Sequence, residues 1–360
     1  MNTQGTSRSG PILILRFSSL GDIVLTEPAT RVLKGSFPHC EIHYLTRSDY
    51  CDIVRSFEAV DRVIPYDAGT GLGGLFKTAL TLRKEHYRFI IDLHGSIRSI
   101  LTRLIVPSGQ TRKIRKNGLR RFFLVKWKVG KGGTWPTAGD RYLDCIPVLA
   151  GHTAPIRPSI EVSPGALKDA ERLLRGETVP VEESALARKP YLALAPGAKW
   201  HTKMWPAERF AELGTRLGEV TGLKTILIGS VEDGTLCASV AERIEAPVRD
   251  LAGKTTIMEA AAVLARSAVL VTNDTGLMHL AAAVGTPVLA IFGPTSRELG
   301  FYPNGDRFSI VEVDLPCRPC TTKGGEVCPV GTHDCMMKIA PDQVLEKVLE
   351  LLEERRGVTA

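Results

Sequence analysis

Residues 269–280 read VLVTNDTGLMHL, an apolar β-branched run that breaks at Asn273-Asp274-Thr275-Gly276 and resumes with helical spacing. The backbone N–H groups that open a helix lack internal partners and carry partial positive charge, which suits a phosphate. Gly276 lets a ligand approach the backbone closely, and His279 lies one turn further on. A plain N-cap by Asp274 accounts for the same four residues equally well. A second strand-to-helix turn, ILRFSSLGDIVL at residues 14–25, places Asp22 at a helix start. There it is either another cap or a general base able to activate a hydroxyl. A third turn, residues 196–206, carries Lys203 just before Trp205-Pro206, where an ammonium group can meet a phosphate as a point charge. A fourth, Gly229-Ser230-Val231-Glu232, presents a carboxylate where dinucleotide folds bind ribose hydroxyls.

The elements that must carry these turns follow from the apolar periodicity. Strands are expected at residues 12–16, 41–45, 62–64 and 89–93, with helices at 23–33 and 72–85. The pattern lapses through residues 126–164 and then restarts. Strands follow at 191–195, 224–228, 268–272 and 287–292, with helices at 206–217, 233–244, 257–266 and 276–284. A last helix at 341–354 has an acidic start and basic end, in accord with its dipole. Strands alternating with helices imply parallel α/β sheets, and 360 residues suit two domains. The expected division is a disordered polar lead-in at 1–10, a first domain at 11–160, a second at 161–340 and the C-terminal helix at 341–360. The junction falls near residues 155–190. Ligands of open α/β sheets bind at the carboxyl ends of the strands, where all four turns lie.

Taken together and in this order, the turns resemble glycosyltransferase family 9, the ADP-heptose–lipopolysaccharide heptosyltransferases. The matching stretches are SSLGDIVLTEP, FIIDLHGSIRS, PGAKWHTKMWPAERFAEL, IGSVED and VLVTNDTGLMHLAAAVGTPVLAIFGPTS. The resemblance is to the heptosyltransferase II type. It implies a GT-B fold, two Rossmann-like domains facing a central cleft, with acceptor bound by the first and nucleotide-sugar donor by the second. It makes Asp22 the general base and Lys203 the donor-phosphate lysine. Glu232 becomes the ribose ligand, and the backbone around Thr255 the adenine site. Thr275 and Gly276 offer amides to the diphosphate, and Asp274 and His279 contact the sugar. Arg98 falls at a basic acceptor-side position. The sequence departs from some members at Ala198 and Lys199, which stand where they place hydroxyl residues near the phosphates. The implied reaction is an inverting, metal-independent transfer of heptose from ADP-heptose to the lipopolysaccharide inner core, on Kdo or heptose. Alternatives are a family 9-like transferase using another nucleotide sugar, a GT-B-fold nucleotide-sugar epimerase or hydrolase, and a sugar-nucleotide binding module.

Charge adds to this. The formal net charge is +7, enough to favour an anionic partner. Arg98, Arg103, Arg112, Lys113, Arg115, Lys116, Arg120, Arg121, Lys126, Lys128 and Lys131 follow one another with no acid between them. A run so long and one-sided reads as an anion-facing surface, with Arg120 and Arg121 beside Arg98 as acceptor-binding candidates. The expected partners are ADP-heptose, the anionic lipopolysaccharide core and the inner-membrane surface, with no nucleic acid. Arg16 and Asp22 interrupt the first apolar run and no small-residue cleavage site follows, which argues against a signal peptide. No apolar run approaches a membrane span. The expected location is cytoplasmic, with peripheral membrane contact.

Cys317, Cys320, Cys328 and Cys335 follow a C-x2-C-x7-C-x6-C spacing. Four thiols so close could bind zinc structurally or an iron–sulfur cluster, or be free or buried cysteines with no ligand. Disulfides are the weaker reading in a reducing compartment. No His, Asp and Glu grouping has catalytic-zinc spacing, so catalysis is expected to need no cofactor. Cys40, Cys51, Cys145 and Cys237 are scattered, as core-packing residues would be.

Overall fold

The computed structural model describes residues 10–147, 157–176 and 191–358. The expected lead-in, apart from residue 10, and residues 155–156 and 177–190 of the expected junction lie outside them. The chain divides into two compact units, one running to Asn117 and including Pro136–Ser159, the other made of Gly118–Trp135 and the chain from Ile160 onward.

In the first unit, strands β1 (Ile12–Leu15), β2 (Ile42–Arg47), β3 (Arg62–Tyr66), β4 (Tyr87–Asp92) and β5 (Ser108–Lys113) form a sheet in the order β3-β2-β1-β4-β5. Every pairing is parallel, with Ile14 level with Tyr44 on one side and Ile91 on the other. Residues 12–15 are fully buried, as an apolar run covered on both faces of a parallel sheet must be. The expected helix at 23–33 is two helices, Leu20–Val24 and Glu27–Ser36. Pro28 causes the break: it has no N–H to give and is tolerated only in the first turn of the second helix.

The second unit holds β6 (Tyr191–Ala195), β7 (Lys224–Leu227), β8 (Val248–Asp250), β9 (Ser267–Asn273), β10 (Val288–Phe292) and β11 (Phe308–Glu312). Their order is β11-β10-β9-β6-β7-β8, again all parallel. Counted from β6, this is the 3-2-1-4-5-6 order of a Rossmann sheet. Its core reaches the C-terminal helix Pro341–Val358 through Val344, Val348 and Leu351. Trp205 is 1% exposed, packs edge-on against Phe210 at 5.0 Å and donates from its indole to the Ile339 carbonyl at 3.0 Å. It thereby joins the lysine-bearing turn to the chain entering that helix.

Gly118–Trp135 was expected within the first domain, yet it packs with the second unit. Lys128 Nζ donates to the Pro319 carbonyl at 2.7 Å, Lys131 pairs with Asp314 at 2.7 Å, and the Gly132 N–H donates to Glu298 at 2.6 Å. Several cations of the basic run thus meet partners more than 150 residues away, which no local pattern announces.

Replacing Trp205 by Ala removes a large buried side chain and a satisfied indole hydrogen bond. Chemical denaturation should show the second unit destabilised by about 3–5 kcal/mol.

Candidate active site

Each sheet reverses its strand order beside its first strand, between β1 and β4 in one and between β6 and β9 in the other. The loops leaving the carboxyl ends of these strands are where an open α/β sheet binds ligands. They carry Asp22 and Arg98 in the first unit, and Lys203 and Asp274–His279 in the second.

Asp22 sits in the single turn Leu20–Val24 that follows β1, with its side chain about one-fifth exposed. Its Oδ2 pairs with Arg16 Nη2 at 2.6 Å and accepts the Ser19 hydroxyl at 2.9 Å and the Ser19 N–H at 3.4 Å. Among the described residues its Oδ1 accepts only the Tyr142 hydroxyl, at 2.7 Å. A carboxylate oxygen has room for two donors, so Oδ1 keeps a lone pair that can receive a proton. Burial pushes the Asp22 carboxyl up, but Arg16, Tyr142 and Ser19 together outweigh it and hold it below the ordinary value of 3.8. Tyr142 remains a donor because burial lifts its hydroxyl well above the usual tyrosine range. Arg16 is fixed in turn: Nη1 donates to the Leu93 carbonyl at 2.6 Å and Nε to the Ser18 carbonyl at 2.8 Å.

His94 stands on the loop after β4. Burial, with Arg16 and Lys116 adding repulsion, brings it down to about 4, so it is a neutral imidazole at pH 7. Its Nδ1 makes no hydrogen bond among the described residues. Asp92 Oδ1 shapes this loop by accepting the N–H groups of His94 and Gly95 at 3.0 and 2.8 Å. Arg98 projects from the first turn of helix Ile97–Ile105 and is exposed.

In the second unit, the Asn273 side chain ties two turns together. It accepts the Trp205 N–H at 3.1 Å and donates to the Pro196 carbonyl at 2.8 Å, clamping both ends of the turn that holds Lys203 to the end of β9. Lys203 Nζ lies 2.5 Å from Asp274 Oδ2 and 3.3 Å from the Asp274 carbonyl, and the Thr295 hydroxyl donates to the same Oδ2 at 2.8 Å. Asp274 is therefore not the N-cap. Thr275 is, and it makes no side-chain capping bond, so the amides opening helix Gly276–Ala283 are left without a side-chain acceptor. His279 is buried within this helix.

Glu232 is exposed in the turn Val231–Asp233, where its own backbone N–H and the Ser230 hydroxyl hold it below the usual glutamate value. Its neighbour Asp233 closes the turn by accepting the Ser230 N–H and hydroxyl at 2.8 and 2.9 Å. A Cβ at Gly197 would stand 2.0 Å from the Asp233 carboxylate, which is why the turn after β6 needs glycine there. Thr255 is half-buried, just before the Thr256 cap of helix Ile257–Ala265.

Arg120 and Arg121 fall on the helix Gly118–Trp127 of the second unit. Arg120 lies over the Trp135 ring at 3.7 Å. Arg121 donates to the Leu299 carbonyl at 3.0 Å and faces the Phe301 ring. The four C-terminal cysteines are free thiols, three half-buried and Cys335 buried. Among the described residues no three His, Cys, Asp or Glu side chains form a group able to hold a metal ion. The segment braces the lysine turn. Thr202 exchanges hydrogen bonds with Gly325, its N–H and hydroxyl donating to the carbonyl at 3.0 and 2.8 Å, and its carbonyl lies 2.9 Å from His333 Nε2.

Reading the sequence alone missed Arg16, Tyr142, His94 and Thr295. Arg16 had a signal, a charge at the end of a buried strand. Tyr142 had none, being 120 residues from Asp22.

Residues 75–329 match the family model described as Glycosyltransferase family 9 (heptosyltransferase). The lipooligosaccharide heptosyltransferase 2 of Haemophilus influenzae is 28% identical over 355 residues, covering 95% of this chain and 99% of the relative. Among solved structures, a family 9 glycosyl transferase from Veillonella parvula superposes with a TM-score of 0.78 at 21% identity, covering 96% of this chain and 98% of its own. The ADP-heptose lipopolysaccharide heptosyltransferase II of E. coli gives 0.73 at 23%, covering 96% and 99%. These likenesses establish the GT-B fold, two Rossmann-like units in one chain.

Because Asp22 titrates lower in the folded than in the unfolded chain, its pairing stabilises the protein above the unfolded value. That contribution is lost as pH falls through the folded one. Arg16→Met, which raises the folded value, should shrink the pH-dependent part of the unfolding free energy at and below pH 3.8. Acid titrations of both proteins, followed by denaturant melts, measure the difference.

Proposed function

The chain belongs to glycosyltransferase family 9, and from that premise we propose that it transfers heptose from ADP-L-glycero-D-manno-heptose to the lipopolysaccharide inner core. The observation that carries the chemistry is the Asp22 carboxylate, ionised, rigidly held, and with one oxygen still able to accept. The acceptor hydroxyl gives its proton to Asp22 Oδ1 as its oxygen bonds to the anomeric carbon. The bond from that carbon to the β-phosphate oxygen breaks, and ADP leaves with the electron pair. Attack opposite the leaving group inverts the anomeric configuration.

Lys203 and the uncapped amides at Thr275 and Gly276 stabilise the charge that builds on the diphosphate. Lys203 is held by Asp274 in the free chain, so the incoming diphosphate competes for an ammonium that is already in place. Asp274, once released, and His279 then face the sugar. Glu232 takes the ribose hydroxyls, and the backbone around Thr255 the adenine. Arg98 meets the anionic acceptor. Arg120, which lies over the Trp135 ring, and Arg121 meet further acids of the core. No cofactor has a part in this reaction.

Since the acceptor is lipid-borne, the enzyme works at the cytoplasmic face of the inner membrane. No helix among the described residues is long and apolar enough to cross a bilayer, so this contact is peripheral. The epimerase reading is not favoured, because the family match and the full-length relative are both transferases. A change of donor sugar within the family is settled by assay.

Incubation with ADP-heptose and defined core acceptors should yield heptosylated product; exclusive use of another nucleotide sugar would overturn the assignment. Asp22→Asn should lower kcat by about 10²–10⁴-fold with donor affinity kept. Lys203→Ala should lower kcat by about 10²–10³-fold and weaken donor binding as well. Full turnover by the Asp22 variant removes it as the base.

A further inference from the structure

Two neighbouring helices of the first unit, Gly71–Leu82 and Ile97–Ile105, carry more apolar surface than their packing uses. A surface helix normally has one apolar stripe, turned to the core. The first helix has that stripe in Leu75, Ala79 and Leu82, all buried. It has a second at Leu72, Phe76 and Leu80, spaced four apart and exposed by 52%, 52% and 40%. The other helix repeats this with Ile97, Ile100 and Leu104, exposed by 73%, 43% and 77%.

Between the helices runs a groove of about 280 Å³, floored by Leu75 and Ala79 and walled by Leu101 and Ile105. Thr102 also lines it, but its hydroxyl is spent on the Arg98 carbonyl at 3.0 Å. The lining is therefore effectively hydrocarbon. Contiguous exposed apolar surface of this kind marks a contact with another body.

Charge identifies that body. Neither helix contains an acid. Lys77 on the first and Arg98 on the second are exposed, and exposed Arg83 and Lys84 follow the first helix directly. Of the nearby acids, Glu85 is paired with Arg62 at 2.9 Å and Asp67 accepts the Gly69 N–H at 2.8 Å; an apolar ridge whose own helices carry only cations is the make-up of a helix lying in an anionic lipid interface. A second copy of the chain fits worse: a two-fold contact sets each patch against its own equal, cation against cation.

We propose that the helices Gly71–Leu82 and Ile97–Ile105 seat this protein on an anionic lipid bilayer, with their exposed stripes entering the acyl region and the groove between them taking hydrocarbon chain. This names the surface behind the peripheral membrane contact and rests on the reading that the acceptor is lipid-borne. It also puts Arg98 at headgroup level, where an acceptor anchored in the same leaflet presents its anionic core.

The test is co-sedimentation of the full chain with phosphatidylglycerol–phosphatidylethanolamine vesicles and with phosphatidylcholine vesicles, at low and high salt. The expected result is binding to the anionic vesicles, weakened by salt. Phe76→Glu combined with Leu104→Glu should weaken it by about tenfold or more. Both side chains are more than half exposed, so their replacement removes little packing. The same variant should keep wild-type transfer to a deacylated, water-soluble core acceptor. A wild type that ignores anionic vesicles, or a variant that binds them as the wild type does, overturns the proposal. So does a wild-type dimer in sedimentation velocity that the variant dissolves, since the face would then join two copies. If vesicles bind as expected but no core acceptor is heptosylated, the docking surface stands and the functional reading falls.

Discussion

Both units depend on one topological constraint. A parallel sheet whose strands are added outward from the first in both directions leaves a crevice at the carboxyl ends of its two central strands, because the flanking crossovers turn away on opposite faces. In the first sheet those strands are β1 and β4, and in the second β6 and β9. Fully buried strands hold the geometry, and the turns that follow them are free to carry polar groups. Asp22, His94, Lys203 and Asp274 all occupy such turns. Each has a different chemical character, but all are aimed by the same backbone rule.

The two turns solve the problem of a buried charge differently. Asp22 is neutralised by Arg16, which also donates to the Leu93 and Ser18 carbonyls. That pairing is structural and stays closed. Lys203 is neutralised by Asp274, and both side chains are largely buried, at 13% and 8% exposure. A buried ion pair contributes little net stability but is costly to break by removing one member. On the proposed function, an incoming diphosphate would replace Asp274 without leaving the ammonium unpaired, so exchange of partner is open where loss of partner is not. Thr295 donates to the same oxygen of Asp274, which keeps that carboxylate hydrogen-bonded when the lysine turns away.

How much of this was legible in the sequence follows from how local each cause is. The β6 strand and the Asn273–Gly276 turn are written in consecutive residues, and their positions agree with the structure. The break at Pro28 is also local, although the apolar pattern of residues 23–33 runs across it and conceals it. The helix Ile97–Ile105 was hidden by its own surface: exposed Ile97, Ile100 and Leu104 blur the contrast between buried and solvated faces on which the helical period depends. The assignment of Gly118–Trp135 to the second unit rests on Lys128, Lys131 and Gly132 finding partners far along the chain. The same holds for Tyr142, whose bond to Asp22 no spacing rule can express. The cysteine spacing was legible as a pattern, whereas the bonds of the same segment to the lysine turn, through Thr202 to Gly325 and His333, were not.

The acidity of Asp22 bears on the order of events. A carboxylate held below its ordinary value is a weak base, and a sugar hydroxyl is a far weaker acid, so a complete proton transfer before attack is strongly uphill. The proton becomes acidic only as its oxygen bonds to the anomeric carbon and loses electron density. Bond formation to that carbon in turn requires the diphosphate to be departing. In the proposed reaction, stabilisation of the leaving group by Lys203 and the amides of Thr275 and Gly276 therefore leads, with Asp22 receiving the proton late. Arg16 is consistent with this order: it weakens the base, but it favours the charged carboxylate and holds it oriented. In such a site the position of Oδ1 matters more than its basicity, and Arg16, Ser19 and Tyr142 fix that position.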